Sequence, residues 1–233
     1  MASTRKPAEA FLYAKRFIKS MPLEQVRTDV INRVSYYMWM YAPWRWTLGS
    51  TPTITLAANT QDYTMNYPAD WLYAVRATQT DGTKSERPLE IVPSLETSVG
   101  FVGNPSNISY PTAAGTSSGL VRVSPRPGGL TGTQVVVGLY KKVMTAFTDQ
   151  TIFTGTLPFD DEWFWVFEDG VLWQSYLFAD DRRAGDVATD SQSGAARYSG
   201  QRAVFEAALT MMKDREKLIL VNPFAIDQKD IRK

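Results

Sequence analysis

Two hydrophobic periods alternate along this chain, and the switch between them divides it. From Phe159 to Asp181 the period is helical: Trp163, Val166, Phe167, Val171, Trp173, Leu177 and Phe178 share one broad face at about 100° per residue. Asp160 is placed to cap this helix, and Asp161 and Glu162 put negative charge on its first turn. Phe159 and Phe164 have the spacing of a hydrophobic staple. Trp165, Leu172 and Tyr176 form a second apolar ridge on another side. One ridge suffices to join a core. Two ridges predict a helix sandwiched inside its own subunit or between subunits.

Helical spacing also marks both ends of the chain. Residues 7–20 predict a short amphipathic helix with Phe11, Ala14, Phe17 and Ile18 on one side. Arg5, Lys6, Lys15, Arg16 and Lys19 make this end basic, as a solvated face or as a docking segment for a polyanionic partner. A second helix is predicted from Leu23 to Tyr41, with Pro22 at its start and Pro43 as its stop. Leu23, Val26, Val30, Val34, Tyr37 and Tyr41 form its inner face, which leaves Tyr36, Trp39 and Met40 as spare apolar surface. The following Trp44-Arg45-Trp46, if extended, points both rings one way, as a core plug or as a stacking platform. A last helix is predicted from Ala195 or Gln201 to Leu220, ended by Asn222-Pro223. The stretch from Asp180 to Gly200 reads as loop.

Between Ser50 and Met144 the period falls to two, and Gly, Pro, Ser and Thr become frequent. Strands are predicted at Thr53–Leu56, Gln61–Met65, Trp71–Gln79, Pro88–Val92, Ile108–Pro111, Leu120–Ser124 and Gln134–Val143. Val135 to Tyr140 is apolar on both faces, as a central strand requires. Asp81-Gly82 suggests a hairpin, Pro125 to Gly129 a wide turn, and Ser94 to Val99 a short helix. The expected class is α+β: a helical bundle formed by residues 1–49 and 147–233, with an antiparallel β-sandwich or barrel-like subdomain, residues 50–146, inserted into it.

Composition narrows the chemistry. The 233 residues carry a net charge of +1, so any grip on nucleic acid through phosphates must be local. There is no cysteine and no histidine, which removes disulfides, thiolate metal sites, the commonest general base and a standard catalytic triad. Asp160, Asp161 and Glu162 suit a helix start better than catalysis, and Asp180, Asp181, Asp186 and Asp190 lack the spacing of a calcium loop. No apolar run approaches the ~20 residues that span a bilayer. No catalytic, cofactor-binding or metal-binding residue is expected. A carbohydrate-binding or glycosidase-like tail module, with Trp71 in a sugar platform, is the alternative that the aromatic content suggests.

Taken in order, several short motifs resemble those of the head-to-tail adaptor (connector) proteins of tailed bacteriophages, a group that includes tail tubular protein A. They are Pro43-Trp44-Arg45-Trp46, Asp62-Tyr63, Tyr67-Pro68-Ala69-Asp70-Trp71, Gly103-Asn104-Pro105, Ile108-Ser109-Tyr110, Leu120 to Pro127, Leu139-Tyr140-Lys141-Lys142, Phe147-Thr148-Asp149 and Leu157-Pro158. Tyr67-Pro68 stands where Leu-Pro is commoner. The resemblance implies a structural virion protein of the neck, assembled in the host cytoplasm. It implies a ring of about twelve copies joining the portal protein to the next tail component, a nozzle or stopper. Double-stranded DNA would pass through without being read, and no membrane or cofactor would be involved. Within that frame the helical body is the ring wall. Tyr36, Trp39, Met40, Trp165, Leu172 and Tyr176 are the expected subunit-interface residues. Residues 222–233, with Pro223, Phe224 and Ile226, are an expected strap onto portal or neighbour. Arg5, Lys6, Lys15, Arg16 and Lys19 are the expected basic docking segment.

Overall fold

The computed structural model describes residues 3–18, 23–80, 86–95, 101–111, 118–129, 134–189 and 196–220, with backbone alone at residues 23 and 217–220. The chain forms two compact units, Met1–Trp46 with Thr145–Lys233, and Thr47–Met144. The class is α+β, with helices in the first unit and one large sheet in the second.

The first unit contains α1 (Pro7–Lys15), α2 (Arg27–Tyr41), α3 (Thr151–Thr154), α4 (Phe164–Phe178) and α5 (Gly200–Leu220). Helix α4 is its centre, with α1, α2 and α5 all packed on it. Val166, Phe167, Val171 and Trp173 of α4 meet Phe11 of α1, Val30, Val34 and Met38 of α2, and Phe205, Leu209 and Met212 of α5 in one core. Gly170 explains how the helices come so close. A Cβ there would lie 2.6 Å from Val34 Cγ1 and 2.7 Å from Phe205 Cε2.

Several helical expectations change in detail. Helix α1 ends at Lys15, so Phe17 turns outward against Tyr13 while Ile18 stays buried. Leu23–Val26 is a 3-10 turn ahead of α2, and the buried face of α2 is Val30, Ile31, Val34 and Met38. Tyr37 and Tyr41 instead turn to α5, where they meet Glu206 and Thr210. The predicted helix start at Asp160 is a 3-10 turn, Asp161–Trp163, without a side-chain cap from Asp160. Phe159 packs on Phe167, 6.0 Å away between ring centres. The segment read as loop holds a 3-10 turn, Arg182–Ala184, and a small hairpin of β11 (Val187–Thr189) and β12 (Ala196–Tyr198).

The second unit contains β1 (Leu48–Ser50), β2 (Ile54–Thr55), β3 (Asp62–Met65), β4 (Trp71–Thr80), β5 (Glu86–Ile91), β6 (Val102–Gly103), β7 (Asn107–Ser109), β8 (Gly119–Ser124), β9 (Arg126–Pro127) and β10 (Val135–Lys142). Eight of these strands form one sheet in the order β1-β10-β4-β5-β7-β8-β3, with β2 beside β1 on the same edge of β10. β5 and β7 are parallel and the other pairs antiparallel. Of the two expected forms, sandwich or barrel-like, the second fits: a curled mixed sheet, with β6 and β9 as a small separate pair. Ile54, Met65, Trp71, Leu89, Ile108, Val123 and Val136, from strands along its whole length, share one core, which a sheet achieves by curling on itself. Arg126–Pro127, expected as a turn, pairs in parallel with β6. Asp81-Gly82 and residues 96–99 of the short helix expected at Ser94 to Val99 lie outside the described residues.

The Tyr67-to-Trp71 motif has a packing reason. Trp71 stacks on Tyr140 at 4.9 Å and meets Tyr67 edge-on at 4.7 Å, while the Tyr140 hydroxyl donates to Asp70 Oδ1 at 2.6 Å. Gly49 makes room for the Tyr140 ring, which a Cβ would approach to 2.5 Å. Nearby, Lys141 is 0 % exposed and its Nζ donates to Thr47 Oγ1 at 2.7 Å. Burial lowers the Lys141 ammonium to about 8.

Two measurements check these readings. Gly170→Ala is expected to destabilise the helical unit by about 1–3 kcal/mol in denaturant unfolding, although Ala is the better helix former, because the methyl group overpacks the core. For Lys141 the folded pKa lies below the unfolded value, so the unfolded state binds more protons above pH 8. Stability contributed at this site is thus expected to rise between pH 8 and 10, by an amount on the order of 1–3 kcal/mol. Lys141→Met is expected to remove that rise.

Candidate functional site

The expected interface residues separate into three groups. Tyr36 and Met40, one helical turn apart on α2, are 58 % and 40 % exposed. Trp165 on α4 is 40 % exposed. Trp39 is half-buried, its ring 5.5 Å from that of Trp46 and edge-on to it. Leu172 and Tyr176, at 5 % and 4 % exposure, are corrected: both belong to the core of their own chain. Helices on several sides of α4 leave Leu172 and Tyr176 of the second ridge buried but not Trp165, and the Arg183 guanidinium lies over the Tyr176 ring at 4.5 Å.

The basic segment is tied to the helical unit by contacts at its surface. Arg5 pairs with Glu9, lies 3.8 Å from Glu168 and sits over the Phe164 ring at 4.0 Å. Lys6 Nζ donates to the Thr154 carbonyl at 3.2 Å, and Lys15 pairs with Glu24. Arg16 is exposed, and Lys19 lies outside the described residues. The expected strap, Pro223, Phe224 and Ile226, also lies outside them.

Trp71 is 2 % exposed, which overturns the sugar-platform reading at that residue. Trp44 is buried too, and its indole N–H donates to the Met38 carbonyl. The backbone at Arg45–Thr47 is a 3-10 turn and not an extended strand, and it still stacks Trp44 on Trp46, 6.0 Å apart at 7°. Among the described residues no group of three His, Cys, Asp or Glu side chains is placed to hold a metal ion. No described helix is long and apolar enough to cross a membrane.

What the sequence did not show is a cleft of about 400 Å3 in the helical unit, lined by Arg45, Trp46, Pro158, Phe159, Asp160, Glu162, Trp163 and Glu216. Its base is aromatic: Trp46 is held between Trp39, Trp44 and Phe159. Its rim is acidic. Arg215 lies 3.4 Å from Glu162 and over the Trp163 ring at 5.4 Å. Burial, and then the neighbouring Asp160, push the Glu216 carboxyl up, with Glu162 adding to this and Arg45 opposing it. Three distant segments form this cleft, so no local motif signals it.

Asp161 turns away from the cleft that its two neighbours line. It accepts from Thr4 N at 3.0 Å, Thr4 Oγ1 at 2.7 Å and Ser3 Oγ, and so pins the N-terminal segment to the start of α4. These donors hold its carboxyl at about 2.

Residues 23–223 match the model of the SU10 adaptor protein family. No curated protein matches the chain. The match reaches across both compact units and includes the cleft and the exposed α2 face.

The Asp161 clasp is open to test. Its folded pKa lies below the ordinary carboxylate value, so its contribution is complete above that value and is lost as pH falls toward 2. Protection factors for amide exchange at Thr4 and Arg5, which correct for the slower intrinsic exchange in acid, are expected to be high at neutral pH and to fall over that acid window. Asp161→Ala is expected to show low protection factors throughout.

Proposed function

Because this chain belongs to the SU10 adaptor protein family, we propose that it is a structural bacteriophage virion protein that forms a head-to-tail ring. In this reading it is a counterpart of tail tubular protein A. About twelve copies bind beneath the portal, receive the next tail component and surround the path of the DNA. The family match over residues 23–223 carries the reading. Supporting it, Tyr36 and Met40 offer an apolar face that a neighbouring copy can cover, with Trp165 as a further anchor. Leu172 and Tyr176 are not part of that surface. The near-neutral charge suits a conduit, because phosphate contacts accumulated along the wall would hold the passing DNA. No catalytic step is assigned.

Light scattering after size exclusion, with and without purified portal protein, tests this. The expected result is a particle of about twelve chain masses of 26.1 kDa, in free solution or on the portal. Tyr36→Glu combined with Met40→Glu is expected to leave a folded monomer, with unchanged circular dichroism and no ring. A wild-type chain that stays monomeric with portal present overturns the proposal.

A further inference from the structure

Helix α5 carries a second apolar row that its own chain leaves bare. Phe205, Leu209 and Met212 are buried in the core, whereas Val204 and Met211 are 49 % and 52 % exposed, and Ala207 between them is exposed too. Spacings of three and four residues put these three on one face of the helix, with Ala207 as its low point. On α2 the exposed row is Arg33, Tyr36 and Met40, with exposed Asp29 one turn before Arg33.

These two rows cannot meet within one copy. The seam between the helices is made by Tyr37 with Glu206 and by Tyr41 with Thr210. Tyr36 and Met40 stand about 100° round α2 from those tyrosines, on the side away from the core. Val204 and Met211 stand about 140–160° round α5 from Glu206, on the flank turned away from α2. One copy therefore presents two unlike apolar rows on different flanks of its helical unit. A head-to-tail contact needs this, because a patch on one copy must meet a different patch on the next. Size and charge then select the direction of packing. With the helices antiparallel, Tyr36 falls on Met211 and Met40 on Ala207, large on small, and the same register sets Arg33 opposite Asp214. Asp214 is exposed, and the Arg33 guanidinium rests over the Phe178 ring at 4.8 Å, at the edge of its row. Asp29 comes near Arg215, but Arg215 already lies 3.4 Å from Glu162, so Arg33 with Asp214 is the pair that discriminates. Packed parallel with the apolar residues matched, Arg33 falls on Val204 and Asp29 on Gly200, with no charge opposite either. Complementary charge fixes register in this way.

We propose that the Val204–Ala207–Met211 face of each copy receives the Tyr36–Met40 face of the next, the two helices antiparallel and Arg33 paired with Asp214. The inference rests on the ring reading, since it needs a second copy. It supplies the other half of a contact for which that reading names one side.

The absence of native cysteine makes a clean test possible. Full-length Met40→Cys and Ala207→Cys chains are mixed, assembled with portal, oxidised mildly and mapped by mass spectrometry. The expected product is a disulfide joining position 40 of one chain to position 207 of another, and neither variant alone should cross-link. A chain carrying both substitutions should give a ladder of multimers on a denaturing gel. Charge reversal tests the register and leaves every apolar side chain in place. Arg33→Glu and Asp214→Lys, each with unchanged circular dichroism, should each raise the concentration needed for half-assembly at least tenfold. The chain carrying both reversals should return to within threefold of wild type. A ring seen by light scattering without the 40–207 disulfide overturns this inference and leaves the ring reading standing. A wild-type chain that forms no ring overturns both. A disulfide between two copies of position 40, or a doubly reversed chain that assembles no better than the single variants, overturns this inference alone.

Discussion

The structure depends on enclosing α4. A helix that carries Trp163, Phe167, Val171 and Trp173 on one side and Leu172 and Tyr176 on another cannot leave either side in water without losing most of its hydrophobic stabilisation, roughly 1.5–3 kcal/mol for each large side chain. Its partners come from both ends of the chain: α1 and α2 lie before it by more than a hundred residues, and α5 follows it. The helical unit is consequently discontinuous in sequence, and Thr47–Met144 forms a compact unit of its own. Gly170 is the point of closest approach, where Val34 and Phe205 occupy the space of a side chain.

The β unit is suited to insertion. Its first strand, β1, pairs antiparallel with its last, β10, so the chain enters and leaves it on neighbouring strands. That junction is tightly filled: Gly49 lies against the Tyr140 ring, Tyr140 is stacked on Trp71 and bonded to Asp70, and Lys141 reaches Thr47. At the other edge of the sheet Asp62 lies directly opposite Arg122, which bonds both its oxygens, at 2.6 and 3.1 Å. The family-like motifs at Tyr67–Trp71 and Leu139–Lys142 are thus parts of one packed corner, which gives them a structural reason independent of any partner.

The α+β class was legible because the hydrophobic period changes along the chain, and period reflects local geometry. The strands around Trp71, Leu120 and Val135 were legible for the same reason. Their arrangement was not: the parallel pairing of β5 with β7 depends on registers between distant segments, and β6 and β9 are too short to show a period. Burial was readable as a count of apolar faces and not as the identity of what covers them. Leu172 and Tyr176 were expected at a subunit boundary, yet their own chain covers them, because the layers around α4 are not encoded in α4 itself. Tyr36 and Met40 were legible as off-face residues of α2, although the inner face shifts toward Ile31 and Met38 and Trp39 is half-buried. The acidic, aromatic cleft had no local signal. Arg45, Asp160 and Glu216 become neighbours only when the two ends of the chain meet.

What the enclosed core leaves outside is the surface a partner could cover. Tyr36 and Met40 remain in water on α2, and the cleft remains open at its rim. An adaptor of this family that builds a ring would use such surfaces between copies. The most direct test is cryo-electron microscopy of necks taken from intact virions, at a resolution that shows side chains. The account predicts a closed ring of this chain in which a neighbouring copy covers Tyr36 and Met40. A neck in which this chain forms no ring, or a ring in which Tyr36 and Met40 face solvent, would contradict it.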